Sequence, residues 1–286
     1  MGLRPWYFKR NNKIKTKKLK IALCQLKVSA DKSKNLLKAS EMISCSALQG
    51  ASMVILPEMF NCPYNNNYFR DYAEEYPGET TVMLSRLSKK HSVYIIGGSI
   101  PEKEKGLIFN TSFCFNNDGV LLGRHRKIHL FDVNIEGGVS FRESDTITAG
   151  KNITVIDTGF FKAGVAICYD MRFPELIRKM SLSGAEIIIV PAAFNMTTGP
   201  AHWHLISRVR ALDNQVYFIA VSPARDEFSD YGYIAYGHSL AVDPWGKIIA
   251  EAGAGEELVI AEIDFGFVEK IRRELPLLKH MRQDLY

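Results

Sequence analysis

An α/β fold with mixed sheets, assembled from two related halves, is the architecture this sequence predicts, and three observations carry it. Short apolar runs of strand length alternate with amphipathic stretches of helix length along most of the chain. One segment occurs twice: ASMVILPEMFN at 51–61 and AEIIIVPAAFN at 185–195 share Ala, Ile, Pro, Phe and Asn at matched positions. KIALCQ and KAGVAICYD precede them in looser correspondence, each linked through a helix. Two βαβ units are therefore expected to pack their sheets face to face and bring strand ends of both halves together. Third, NNDG at 116–119 between two strand-like runs is a hairpin turn signal, which places antiparallel pairs beside the parallel ones.

The chain has 286 residues, 47% of them hydrophobic, enough for a substantial core in one large α/β domain or two small ones. Its net charge of +5 is unevenly placed. Eight of the 36 Lys and Arg stand in the first 20 residues, which hold no acid, and the remaining 28 face 31 acids. Residues 1–18 are therefore read as a basic mobile tail, with weak organelle targeting as the alternative, and 19–286 as the folded domain. The body carries no nucleic-acid-reading motif, and no apolar run reaches the ~18 residues of a membrane span. Five cysteines, at 24, 45, 62, 114 and 168, form no close pair and no metal-type spacing, the pattern of a reducing, cytoplasmic setting.

Taken in order, residues 19–26 (LKIALCQL) read as a first buried strand. Residues 32–49 read as a helix with Leu36, Ile43, Ala47 and Leu48 at helical spacing, ended by Gly50. Residues 53–56 form the next strand, stopped by Pro57 with Glu58 at its end, where open α/β sheets place their chemistry. A helix at 80–90 and a strand at 93–98 follow, then the hairpin strands 107–115 and 120–124. In GRHRKIHLFD, Lys127 is anchored beside Ile128, Leu130 and Phe131; a lysine so placed is either held for chemistry or snorkels to solvent. GGVSFRESD is read as a polar loop carrying Glu143. Strands at 153–156 and 163–168 lead to Cys168, and a helix at 174–183 starts with Pro174 in its favoured first position. Cys168 thus sits at a strand end near a helix N-terminus, whose free N–H groups favour a thiolate and can hold an oxyanion. The competing reading is an inert core cysteine.

Residues 185–190 form a buried strand stopped by Pro191, and Pro200 starts a helix running to Asn214. His202 and His204 on that helix are two apart and point different ways, so they cannot chelate one ion together, and no metal is implied. Strands at 217–222, 237–242, 247–250 and 257–264 follow, then a helix at 265–274 and an extended arm to Tyr286. Gly237-His238-Ser239 does not complete a serine-nucleophile elbow, which argues against a serine hydrolase.

Glu58 in LPEMF, Lys127 in HRKIHLFD and Cys168 in AICYDMRFPE together resemble the Glu-Lys-Cys triad of the nitrilase, or carbon–nitrogen hydrolase, superfamily. The likeness runs from about Lys20 to the final Asp-Leu-Tyr. It is closest to the omega-amidase branch through NCPYNNNYFRDYAEEYPGE, IIGGSIPE, AAFNMTTGPAHW, RALDNQVY, SPARD and GHSLAVDPWG. At Met59, Cys62 and the Asn65-Asn66-Asn67 run the chain departs from the family pattern. The resemblance implies a four-layer α-β-β-α sandwich, a homodimer and no cofactor. It also implies roles: Cys168 as nucleophile, Glu58 as general base and acid, and Lys127 with the backbone N–H of Tyr169 as oxyanion holder. Glu143 would be a supporting second glutamate. These types suit the chemistry, because an amide carbon is a poor electrophile that needs a strong nucleophile, a held oxyanion and a protonated leaving group.

For the omega-amidase branch the resemblance implies a small amide carrying a remote carboxylate, 2-oxoglutaramate or 2-oxosuccinamate. Arg172 is the suited partner of that carboxylate, since guanidinium binds it bidentately. Thr198 could add a hydroxyl beside the helix start, and Phe194 a wall for the carbon chain. Arg172 paired to Asp170 as a structural salt bridge is the plain alternative. The competing functions are a deaminated-glutathione amidase of the same superfamily, with a larger opening, and an interaction scaffold with a broken triad.

Overall fold

In the computed structural model, residues 18–228, 232–282 and 284–285 are described. Residues 1–17 of the expected basic tail and Tyr286 lie outside them, whereas Lys18 already belongs to the first strand, where it pairs with Asp264.

Two sheets form the centre. The first contains β1 (Lys18–Gln25), β2 (Met53–Ile55), β3 (Tyr94–Ile96), β4 (Ile100–Glu104), β5 (Leu107–Phe115), β6 (Leu121–Arg126) and β15 (Glu257–Asp264). The second contains β9 (Thr154–Asp157), β10 (Lys162–Val165), β11 (Ile187–Pro191), β12 (Tyr217–Val221), β13 (Leu240–Val242) and β14 (Ile248–Glu251). A separate hairpin joins β7 (Asp132–Asn134) to β8 (Ser140–Arg142). In each sheet three central strands run parallel, β1-β2-β3 and β10-β11-β12, and antiparallel strands flank them. The duplicated segments occupy equivalent places: β2 lies between β1 and β3, and β11 between β10 and β12.

Strand periodicity explains the layering. Successive side chains of β1 point to opposite faces. Ile21 and Leu23 enter a core shared with Ile187, Ile189 and Ile219 of the other sheet, and Ala22 and Cys24 enter another under the helices. That second core meets α1 (Lys32–Leu48) and α3 (Glu79–His91) through Leu36, Ile43, Leu84 and Leu87. On the far side, Ile188, Val190 and Phe218 pack against α4 (Pro174–Leu182) and α5 (Gly199–Asn214) through Ile177, Met180 and Trp203. The order is helix, sheet, sheet, helix, the four-layer sandwich. Each such aliphatic side chain contributes about 1.5–3 kcal/mol on burial, and a one-residue slip would turn every one of them to the wrong face. Gly164 sets the closest approach: a Cβ there would lie 2.6 Å from Ile188 and 3.0 Å from Met180.

Four segments differ from expectation. The Asn-rich stretch forms α2 (Asn66–Tyr72), with Asn65 accepting from the Asn67 N–H as its N-cap. IPEKE forms β4, where Pro101 is tolerated because β4 is an edge strand. Part of the expected polar loop pairs as β7–β8. After α6 (Phe265–Glu274), a short helix α7 (Leu277–His280) replaces part of the expected extended arm. Among the described residues, no helix is long and apolar enough to cross a membrane.

Candidate active site

Glu58 follows β2 in a loop fixed from the neighbouring strand end. Ser99 Oγ accepts from Met59 N–H at 3.0 Å, Ser99 O accepts from Phe60 N–H at 3.2 Å, and the Ser99 N–H donates to Pro57 O at 3.1 Å. Gly98 permits this approach, with φ +53 and an added Cβ only 2.1 Å from Pro57 O. The Glu58 carboxylate is thereby turned into the protein and is fully buried.

Lys127 leaves the end of β6 with its backbone tied at both sides, N–H to Asn110 O and C=O to the Gly150 N–H, each at 2.8 Å. Its side chain is likewise fully buried. The ammonium donates to Glu58 Oε1 at 2.9 Å, Glu143 Oε2 at 2.7 Å and the Tyr64 hydroxyl at 3.1 Å, so all three of its donors are used. Asn110 Nδ2 bridges the two acids, at 2.8 Å from Glu58 and 3.1 Å from Glu143. Glu143 also accepts from the Phe131 N–H at 2.8 Å. Burial opposes the charge of Lys127, but the two carboxylates outweigh it and hold the ammonium protonated.

Cys168 lies just past β10, which ends at Val165, and opens a tight 3-10 turn over Cys168–Arg172. Its φ of +44 is unusual for a residue with a side chain and is a strained setting of the kind found at functional sites. Asp170 holds the turn. Buried, it accepts from Ile167 N–H at 3.0 Å and His129 N–H at 2.9 Å, and it meets His125 Nε2 at 3.1 Å and His129 Nδ1 at 2.8 Å. It thus clasps the segment after Lys127 to the segment around Cys168. Burial would raise the Asp170 carboxyl, but these donors prevail and hold it well below the usual carboxylate range. From α5, Arg210 donates to the carbonyls of Met171 and Arg172, both at 2.9 Å, and closes the other side of the turn.

The Cys168 thiol is within range of Glu58 and of the Ala193 backbone. Glu58 Oε2 is buried with no hydrogen bond of its own. Burial, then the Glu58 charge, push the thiol well up, against the opposing Lys127. Burial also raises Glu58, opposed by Lys127 and assisted by Glu143. Both directions favour a thiol that keeps its proton until Glu58 takes it over the preformed thiolate that the helix terminus and lysine suggest. Desolvation outweighs both attractions.

Tyr169, Arg172, Phe194 and Thr198 line a narrow cavity together with Cys168. The Arg172 guanidinium lies 4.7 Å from the Phe194 ring centroid, and its Nη1 is 3.1 Å from His202 Nδ1. Among the described residues no carboxylate pairs with it, and Asp170 is committed to His125 and His129 instead. Thr198 caps α5, its N–H bonded to Asn195 Oδ1 at 3.0 Å. The cavity adds Phe131, Asn195 and Tyr233, which sequence reasoning missed. It missed Tyr64, Asn110 and the role of Asp170 as well. Asn195 left a signal as the last residue of the repeated segment, and Phe131 as part of the apolar run after Lys127.

The chain's similarity to known proteins matches this geometry. The carbon-nitrogen hydrolase family model covers residues 20–273. Omega-amidase NIT2-A of Xenopus laevis is 49% identical over 269 residues, 94% of this chain and 97% of its own. Human omega-amidase NIT2 is 47% identical over 267 residues, 93% and 96% respectively. Nit3 of Saccharomyces cerevisiae, a member of branch 10 of the nitrilase superfamily, superposes with a TM-score of 0.85 at 46% identity, over 93% of this chain and 97% of that one. With one family model spanning most of its length and relatives of nearly half identity along almost all of it, the chain belongs to the carbon-nitrogen hydrolase family.

Proposed function

We propose that the protein is an omega-amidase that hydrolyses the terminal amide of a short 2-oxo dicarboxylate monoamide to the dicarboxylate and ammonia through a cysteine thioester. The observation that carries the reading is Lys127, buried between Glu58 and Glu143 beside a cysteine thiol. Glu58 Oε2 takes the Cys168 proton as Sγ bonds to the amide carbon. The electron pair of the C=O bond moves to oxygen, and the Tyr169 N–H and Lys127 Nζ, turning to it the donor that the Tyr64 hydroxyl accepts at rest, hold that oxyanion. As the tetrahedral centre collapses, the C–N bond breaks and Glu58 returns its proton to the leaving nitrogen, releasing ammonia. Glu58 then deprotonates water, which attacks the thioester carbon, and the C–S bond breaks with the proton returning to sulfur. Glu143 orients Lys127 and shares its charge.

Substrate choice rests on the cavity. Arg172 is the charged side chain on the wall, and Asn195 is a buried amide beside it. Both suit a carboxylate at the far end of a short chain flanked by Phe131 and Phe194. The proposal extends to a homodimer, checked by sedimentation, in a reducing compartment, which the five free thiols suit. Ammonia release from a panel of short dicarboxylate monoamides, neutral amides and peptide-like amides tests the substrate. Cys168→Ala tests the mechanism: turnover should vanish while the fold remains. Wild-type turnover in that variant, or an acyl adduct found only on another cysteine, would overturn it.

A further inference from the structure

His204, His238 and Glu251 come from three separate elements: the outer part of α5, the segment leading into β13, and the last residue of β14. Glu251 Oε1 lies 2.7 Å from His204 Nε2 and 3.5 Å from His238 Nδ1. Their three potential ligand atoms all fall within 4.8 Å of one another. The rule that excludes a His202–His204 pair concerns one helix face and does not reach this arrangement. His202 turns toward Arg172, while His204 meets a histidine and a carboxylate from elsewhere.

The rings are preorganised. His238 is held at φ +57, its N–H bonded to Gly253 O at 3.0 Å and its carbonyl accepting from Trp203 Nε1 at 2.6 Å. Trp203 precedes His204 on α5 and is fully buried, so one anchored indole fixes both histidines relative to each other. Tyr236 backs the His238 ring at a centroid distance of 4.5 Å. The side chains remain 26–34% exposed, so an ion can reach them.

A plain histidine–glutamate hydrogen bond needs one imidazole. Here two imidazole nitrogens from different elements converge on a single carboxylate oxygen, the donor set of a borderline divalent ion. A tetrahedral ion with bonds of about 2.0–2.2 Å holds its ligand atoms roughly 3.3–3.6 Å apart. The His238–Glu251 separation already has this value, and the His204–Glu251 separation requires opening by less than 1 Å. Glu251 can supply that shift, because it ends an edge strand and carries a flexible side chain.

We infer that His204, His238 and Glu251 form a binding site for one divalent transition-metal ion of the Zn²⁺ class, with water completing the coordination. None of the three lines the cavity at Cys168, and every step of amide hydrolysis is assigned to other side chains. The ion would tie α5 to the β13–β14 hairpin and raise the melting temperature by binding only the folded chain.

The test is calorimetric titration of Zn²⁺ into the full-length, EDTA-stripped protein, with His204→Ala, His238→Ala and Glu251→Gln alongside. Wild type should bind one equivalent, and each variant at least ~10-fold more weakly, since loss of a supporting group already costs 10–100-fold. Metal-free melting temperatures and amide hydrolysis in EDTA should match wild type, which shows that the variants are folded. Co²⁺-loaded protein should show the weak visible bands of nitrogen and oxygen ligation. The absence of one-equivalent binding, equal affinity in all four proteins, or an intense thiolate charge-transfer band lost in Cys45→Ser would each overturn the inference.

Discussion

Glu58 and Asp170 are both buried carboxylates near the same cysteine, and the protein treats them in opposite ways. Asp170 is surrounded by donors: backbone N–H groups of Ile167 and His129, and the rings of His125 and His129. Glu58 takes N–H donors on Oε1 alone, from Lys127 and Asn110, and beyond them only the Cys168 thiol approaches its carboxylate. The first acid is held below its ordinary range and the second above it. Burial is common to both, so the supply of donors, together with the Glu143 charge beside Glu58, decides the outcome. A saturated carboxylate can only hold parts in place, whereas a bare one can take and return a proton.

The hardest way to break this contrast is Glu58→Gln. The amide still accepts from Lys127 and Asn110, so the fold should survive, while general-base catalysis is removed. Turnover measured by ammonia release should fall by about 10²–10⁴. A loss under tenfold would move the base elsewhere. Lys127→Met comes next, with a fall of at least about 10²–10³ from the lost oxyanion donor. It also leaves Glu58 and Glu143 buried without their cation, so thermal unfolding should show a loss of about 3–5 kcal/mol. An active, fully stable Lys127→Met protein would contradict both readings.

Cations repeat the distinction. At rest Lys127 donates to Glu58, Glu143 and the Tyr64 hydroxyl, while Arg172 stacks on Phe194 with no carboxylate among the described residues and faces the cavity. Arg172→Ala should lower kcat/KM for a short dicarboxylate monoamide about 10- to 100-fold more than for a neutral amide of equal length, since a charge-assisted hydrogen bond contributes about 1.5–3 kcal/mol. Equal losses on both substrates would make Arg172 structural.

What the sequence made legible follows the same division. Glu58 and Cys168 each end an apolar run and Lys127 opens one, so their placement is a local property that alternation and turn residues reveal. The duplicated segments likewise pointed to equivalent central strands, because the strand pattern is local too. Asp170 was read only as a possible partner for Arg172. Its true partners, His125 and His129, are more than forty residues away and meet it only after the sheets pack. Tyr64 and Asn110 were missed for the same reason, their bonds to Lys127 and Glu58 being purely tertiary. α2 was missed because Asn65, a good N-cap, opens a run of three asparagines that reads as loop.

The smallest effect on rate, and the sharpest test of the contrast, is Asp170→Asn. The side chain touches no reacting atom, so turnover should drop no more than about tenfold, through looser placement of Cys168 and Lys127. Stability carries the signal. Asp170 has a depressed folded pKa, so between that value and its unfolded pKa of about 3.9 the unfolded chain binds more protons, and stability rises with pH. Its contribution, about 1.5–3 kcal/mol, is fully present above that unfolded value and disappears as pH falls toward the folded one. Glu58 has the opposite sign: its folded pKa is raised, so its contribution is fully present below the unfolded value of about 4.3 and is lost as pH rises from there through the folded value, where the folded chain binds more protons. Melting temperatures from pH 3 to 8 should therefore show the deficit of Asp170→Asn shrinking toward acid. Relative to wild type, Glu58→Gln should gain as pH rises from acid. Parallel curves for the two variants would mean that the buried carboxylates do not differ in the way their hydrogen bonds require.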